Sequence, residues 1–109
     1  FDIATLCDIR IAAEAAAFGH PEIKFGAPTL YSPLAAIIGG GMARDLSLSG
    51  RLIDAQEALR IGLVSKVVAP DQLLDQAKAA ARVIAEAPLA TLRGVKAGIV
   101  ESLSWKFAP

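Results

Sequence analysis

The hydrophobic pattern changes period near Pro70, and that change constrains the fold more than any other feature of the chain. Before it, apolar residues come in short stretches broken by Gly and Pro. Ile9, Ile11 and Ala13 alternate with Asp8, Arg10 and Ala12, which predicts a strand over 8–13. After it, Leu73, Ala77, Ala80 and Ile84 recur at spacings of three and four, the stripe of an amphipathic helix. Pro88 suits the first turn of a following helix, where Leu89, Leu92, Ile99 and Leu103 keep the same spacing and Lys96 interrupts it. Two such helices in succession predict a helical hairpin that packs on a core or on another subunit. The chain thus reads as mixed α/β over 1–69 and helical over 70–109.

Local signals fill in the first part. Residues 2–6 fit one helical turn, and 17–19 a second short strand that ends before Pro21. Gly26, Pro28 and Pro33 mark a loop over 26–33, and Leu34 to Ile38 is a brief apolar segment that Gly39-Gly40-Gly41 breaks. Those glycines precede no Lys-Ser or Lys-Thr step, so they read as a linker between helices rather than a phosphate loop. Met42 to Leu48 predicts a helix closed by Gly50 in a left-handed cap. Asp54 and Glu57 form a capping box, with Asp54 as N-cap and Glu57 reaching back, on a helix that ends at Gly62. Leu63 to Val68 predicts a buried strand.

Charge and composition narrow the classes of function. Eleven basic residues balance 11 acidic ones in 109 residues, with no basic stripe, which argues against a nucleic-acid partner. No apolar run reaches the roughly 18 residues of a membrane span. The one cysteine, Cys7, cannot form an internal disulfide, which fits a reducing cytoplasm, and its surroundings read as those of a small buried hydrophobe. One histidine and one cysteine argue against a zinc site. Position 1 is not Met, and Phe1 to Leu6 reads as the interior of a packed element. Trp105 to Pro109 carries large apolar groups with no evident partner, so the expectation is a stretch of a longer protein.

The chemical lead is Glu22, a single acid between Pro21 and Ile23 with Phe18 and Phe25 nearby. Such surroundings predict a raised pKa, suited to proton transfer near neutral pH. The bland reading is a surface acid that caps a nearby helix.

Taken in order, Cys7-Asp8, Phe18-Gly19-His20-Pro21-Glu22-Ile23, Leu48-Ser49-Gly50, Asp54-Ala55-Gln56-Glu57-Ala58 and Gly62-Leu63-Val64 resemble the crotonase superfamily, the enoyl-CoA hydratases and isomerases. The resemblance covers nearly the whole chain. It implies the later turns of a ββα spiral followed by amphipathic helices of a trimerisation region. It also implies that most of the coenzyme A site and both oxyanion-hole amides are formed by residues ahead of Phe1.

The activity it implies is addition of water to a 2-enoyl-CoA thioester, with coenzyme A carried by the substrate and no separate cofactor. Glu22 matches the acid that delivers the α proton, and Asp2 the partner that helps activate water. Asp2 stands where relatives typically carry Glu, and its side chain is shorter by about 1.5 Å; its alternative reading is a helix N-cap. Pro21, Gly26 and Tyr31 are the substrate-binding candidates, on a loop that in relatives lines the acyl pocket. Ala27-Pro28-Thr29-Leu30-Tyr31-Ser32-Pro33 departs from the usual pattern there. His20 reads as a turn residue rather than a general base. Arg93 and Lys96 read as solvated charges rather than contacts to a coenzyme A phosphate.

The resemblance further implies a homotrimer or dimer of trimers. An isomerase using Glu22 alone is the alternative. An inert assembly piece is the reading from outside enzymology, since the isolated stretch is expected to lack activity of its own.

Overall fold

A computed structural model describes residues 1–104. Two compact units follow one another, Phe1–Leu73 and a second starting at Leu74.

The first unit opens with α1 (Asp2–Thr5), then β1 (Ile11–Ala13) and β2 (Ala17–Phe18). A 3-10 turn over Pro21–Phe25 leads to α2 (Tyr31–Ile38) and α3 (Gly40–Ser49). Then come β3 (Ile53–Asp54), α4 (Ala55–Arg60) and β4 (Lys66–Val68). The strands form two small ladders. β1 pairs parallel with β4, Ala12 opposite Val67, and β2 pairs antiparallel with β3, Phe18 opposite Ile53. Everything between β1 and β4 therefore acts as a crossover, and the parallel pair brings residues about fifty positions apart side by side. Arg10 clamps this junction, its Nε donating to the Leu63 carbonyl at 2.7 Å while its own carbonyl accepts from Ser65 N at 3.0 Å.

The core gathers Ala12, Leu34, Ala43, Leu46, Ile53, Ala55, Ala58, Leu63 and Val64. Leu34, Leu46 and Leu63 are fully buried, and the alanines let helix and strand backbones approach closely. His20 is the one large polar side chain among the fully buried ones.

Several boundaries differ from those the sequence predicts. The first strand starts at Ile11, not Asp8, and β4 is only Lys66–Val68, although Leu63 and Val64 are buried as expected. The loop ends at Leu30, and Pro33 lies inside the first turn of α2, where its missing N–H costs no hydrogen bond. Only Gly39, at φ 89°, breaks the helices; Gly40 and Gly41 are the first turn of α3. Gly50 closes α3 in the left-handed region, as expected.

Half of the capping box forms. Asp54 Oδ1 accepts from Glu57 N at 2.8 Å, but the Glu57 carboxylate turns to the Arg60 guanidinium instead of reaching back. The charge-assisted fork outcompetes a single bond to a neutral amide. Asp54→Ala should therefore cost about 1 kcal/mol in chemical denaturation, the typical value of a cap, while Glu57→Ala changes stability by less.

Exposure corrects three further expectations. Cys7 lies at the surface, its thiol turned to the Ile3 carbonyl, because it sits in the exposed turn after α1. Ile3 and Leu6 are exposed rather than interior, and Phe25 is 88% exposed, so it does not desolvate Glu22.

The second unit contains α5 (Leu73–Ala85, its first residue the last of unit one) and α6 (Leu89–Ser104). Pro88 precedes α6, its carbonyl accepting from Leu92 N, so it caps rather than occupies the first turn. No residue of α5 is buried, and Leu74, Val83, Ile84, Leu89, Val95, Ile99 and Val100 are exposed apolar side chains. Arg93 and Lys96 are exposed too. The expectation for Trp105 to Pro109 lies outside the described residues.

Candidate active site

Glu22 and His20, from the 3-10 turn and its N-cap, meet Asp2 from α1. Glu22 stands in the first turn of the 3-10 segment that Pro21 begins. The fixed φ of Pro21 turns the chain so that the side chains on either side of it face the same way. As a result Glu22 Oε1 lies 3.0 Å from His20 Nδ1, across only two positions of sequence. Gly26, at φ 84°, ends the turn, with Ala27 N bonded back to the Glu22 carbonyl at 3.1 Å.

Asp2 arrives from the other side. Its place in the first turn of α1 is held by the Thr5 hydroxyl, which donates to the Asp2 carbonyl at 2.6 Å. The Asp2 side chain makes no cap; its Oδ1 lies 3.3 Å from His20 Nε2. The approach falls short of an aligned hydrogen bond, and neither atom has a hydrogen-bond partner among the described residues. The carboxylates are partly open to solvent, 34% for Asp2 and 42% for Glu22, whereas the imidazole between them is wholly buried. The Phe1 ring covers it at a centroid distance of 4.8 Å, and Phe18 packs on Phe1 at 5.9 Å.

The electrostatics of Glu22 reverse the expectation from its neighbours. The hydrogen bond from His20 holds its carboxyl below the ordinary value of 4.5, and the backbone amide of its own turn adds to this. Hydrogen bonding to the charged form outweighs desolvation because the side chain is half open to water. Glu22 is thus ionised at neutral pH, ready to accept a proton before it can give one.

A depressed folded-state pKa contributes stability that is present above the unfolded value and lost as pH falls through the folded one. Asp45 beside Arg51 and Glu57 beside Arg60 are shifted the same way. The melting temperature should therefore fall as the pH is taken below about 4.5, and the fall should be shallower in Glu22→Gln, as followed by circular dichroism. A fall equally steep in both proteins would count against the Glu22 contribution.

Of the other candidates, Pro21 and Gly26 bracket the turn that carries Glu22. Tyr31 begins α2, its half-buried ring packed against the core and its hydroxyl donating to the Gly40 carbonyl at a long 3.4 Å. Sequence reasoning placed His20 in the turn but missed its burial between two carboxylates. The available signal was its position two before Glu22 across a proline; nothing in sequence pointed from it to Asp2.

A sequence profile described as enoyl-CoA hydratase/isomerase matches residues 1–107. The chain belongs to the enoyl-CoA hydratase/isomerase family. A probable enoyl-CoA hydratase of Rhizobium meliloti is 44% identical over 110 residues, covering 98% of this chain and 43% of that protein. A short-chain-enoyl-CoA hydratase of Clostridium acetobutylicum is 44% identical over 93 residues, covering 82% of this chain and 36% of that protein. An enoyl-CoA hydratase/isomerase crystal structure from Xanthobacter autotrophicus superposes with a TM-score of 0.87 at 34% identity, over 95% of this chain and 39% of that one. The enoyl-CoA hydratase structure from Mycobacterium tuberculosis gives 0.83 at 36% identity, over 92% and 47%. The fold is α/β and crotonase-like, and the chain spans less than half the length of these relatives. The Asp2 and Glu22 carboxylates lie on either side of His20, each facing one ring nitrogen. No helix among the described residues is long and apolar enough to cross a membrane.

Proposed function

We propose that this chain is the carboxy-terminal portion of a crotonase-type enzyme and supplies the acid–base carboxylates of an enoyl-CoA hydratase, which adds water across the 2,3 double bond of an acyl-CoA thioester. The observation that carries the reading is the pair Asp2 and Glu22, held 3.3 and 3.0 Å from one buried imidazole. In this mechanism Asp2 and Glu22 hold the water between them. Water oxygen bonds to the β carbon as Glu22, ionised at rest, takes one of its protons. The π electrons move onto the thioester oxygen. Glu22 then returns that proton to the α carbon from the same face, and collapse of the enolate restores the carbonyl. Both added atoms derive from one water, the addition is syn, and Glu22 ends as it began.

Stabilisation of the enolate oxygen needs preorganised donors, normally backbone amides. In this reading those amides and most coenzyme A contacts come from the part of the family fold outside this chain, which spans 43% of the Rhizobium relative. Pro21, Gly26 and Tyr31 are assigned to the acyl side; the long Tyr31 bond to Gly40 is one a substrate oxygen could replace. The exposed apolar residues of α5 and α6 support contacts between copies, in the trimer that the resemblance implies.

The ionised Glu22 also favours a second reading, an isomerase that removes an α proton from a 3-enoyl thioester and returns it at the γ carbon. Absorbance of the conjugated enoyl thioester separates the two. The full-length protein should bleach it with crotonyl-CoA; its appearance from a 3-enoyl-CoA, without bleaching, would replace hydratase by isomerase.

A further inference from the structure

His20 is wholly buried, yet both ring nitrogens face carboxylate oxygens rather than backbone. A histidine that merely fills a turn would satisfy itself locally. Here the ring spans from α1 to the 3-10 turn, its plane backed by Phe1. An ionised carboxylate only accepts, so the contact to Glu22 makes Nδ1 the donor. Nε2 then faces Asp2 Oδ1 at 3.3 Å, and neither atom has a hydrogen-bond partner among the described residues. The imidazole thus stands between the two carboxylates, 3.0 Å from one and 3.3 Å from the other.

We propose that His20 is the positioning residue of this site, a buried bridge that donates from Nδ1 to Glu22 and stands against Asp2 with its other ring nitrogen. The bridge fixes the separation and the facing of the two carboxylates. The proposal rests on the hydratase reading for its catalytic consequence, but the bridge itself can be tested without turnover.

In the full-length protein, 15N-labelled histidine with sequence-specific assignment reads the two ring nitrogens of His20 by nuclear magnetic resonance. The expected spectrum has a proton-bearing Nδ1. Asp2→Asn should move the Nε2 signal and Glu22→Gln the Nδ1 signal. A ring whose nitrogens ignore both substitutions would overturn the bridge. These two variants alter partly exposed side chains, so the result does not depend on a core substitution folding.

In the full-length protein, His20→Gln should lower kcat about ten- to a hundredfold while KM stays within about twofold, because the carboxylates lose their geometry and not the substrate its contacts. Unchanged kcat in a folded His20→Gln protein would overturn the positioning role and leave the hydratase reading standing. Absence of turnover in the unsubstituted protein would instead remove the hydratase reading, with the nitrogen spectrum still deciding the bridge.

Discussion

Replacing Glu22 by Gln in the full-length protein is expected to lower kcat by about two to four orders of magnitude, the usual contribution of a positioned acid–base group. Gln keeps the size of Glu, and its amide oxygen can still accept from the His20 Nδ1–H that lies 3.0 Å from the carboxylate. The fold and the bridge to the turn therefore survive. What disappears is the ability to take a proton from water and pass it to carbon. KM should change little, because in the proposed mechanism Glu22 meets the water rather than the body of the substrate. The loss should hold across the pH range, since an amide has no titration to restore. Steady-state kinetics with crotonyl-CoA check this. A residual rate within tenfold of the parent would remove Glu22 from the chemistry and leave its carboxylate as a partner of His20 only.

Gly19→Ala should destabilise the first unit by about 3 kcal/mol, the upper end of ordinary overpacking. A Cβ at Gly19 would lie 2.6 Å from the Arg51 carbonyl oxygen and 2.9 Å from Leu52 Cδ2. The first of these is backbone and cannot rotate away. Both sides are fixed: Phe18 pairs with Ile53 in the β2–β3 ladder, and His20 is buried immediately after. Relief must come from parting the ladder or from shifting His20, so lost stability and lost activity should appear together. Urea unfolding and the kinetic assay report the two. Gly26 gives the contrast, since a Cβ there meets nothing within 4 Å and the cost comes only from its φ of 84°. An Ala at 19 as stable as the parent would mean that the close approach of 18–20 to 51–52 is looser than the geometry shows.

Much of this protein was legible in its sequence because the signals are local. The helix over Met42 to Leu48 with its Gly50 cap, the Asp54 N-cap and the helices after Pro70 follow from spacing, from φ preferences and from side-chain bonds a few residues long. Glu22 and Asp2 were marked by the family resemblance, motif by motif. Strand limits were less legible, since a pairing three residues long such as β1 with β4 is set by the partner strand and not by its own alternation.

Only the tertiary structure decided the electrostatics of the site. Glu22 looks desolvated in sequence, among Phe18 and Phe25, and a raised pKa follows from that reading. Folding turns Phe25 out to solvent and brings the His20 Nδ1–H to the carboxylate, which lowers the pKa instead. Asp2 and His20 lie too far apart in sequence for any spacing rule, and their meeting depends on where α1 packs. Local propensity determines which elements form; the sign of a charge interaction depends on which groups folding brings within about 4 Å, and that is a property of the packed molecule.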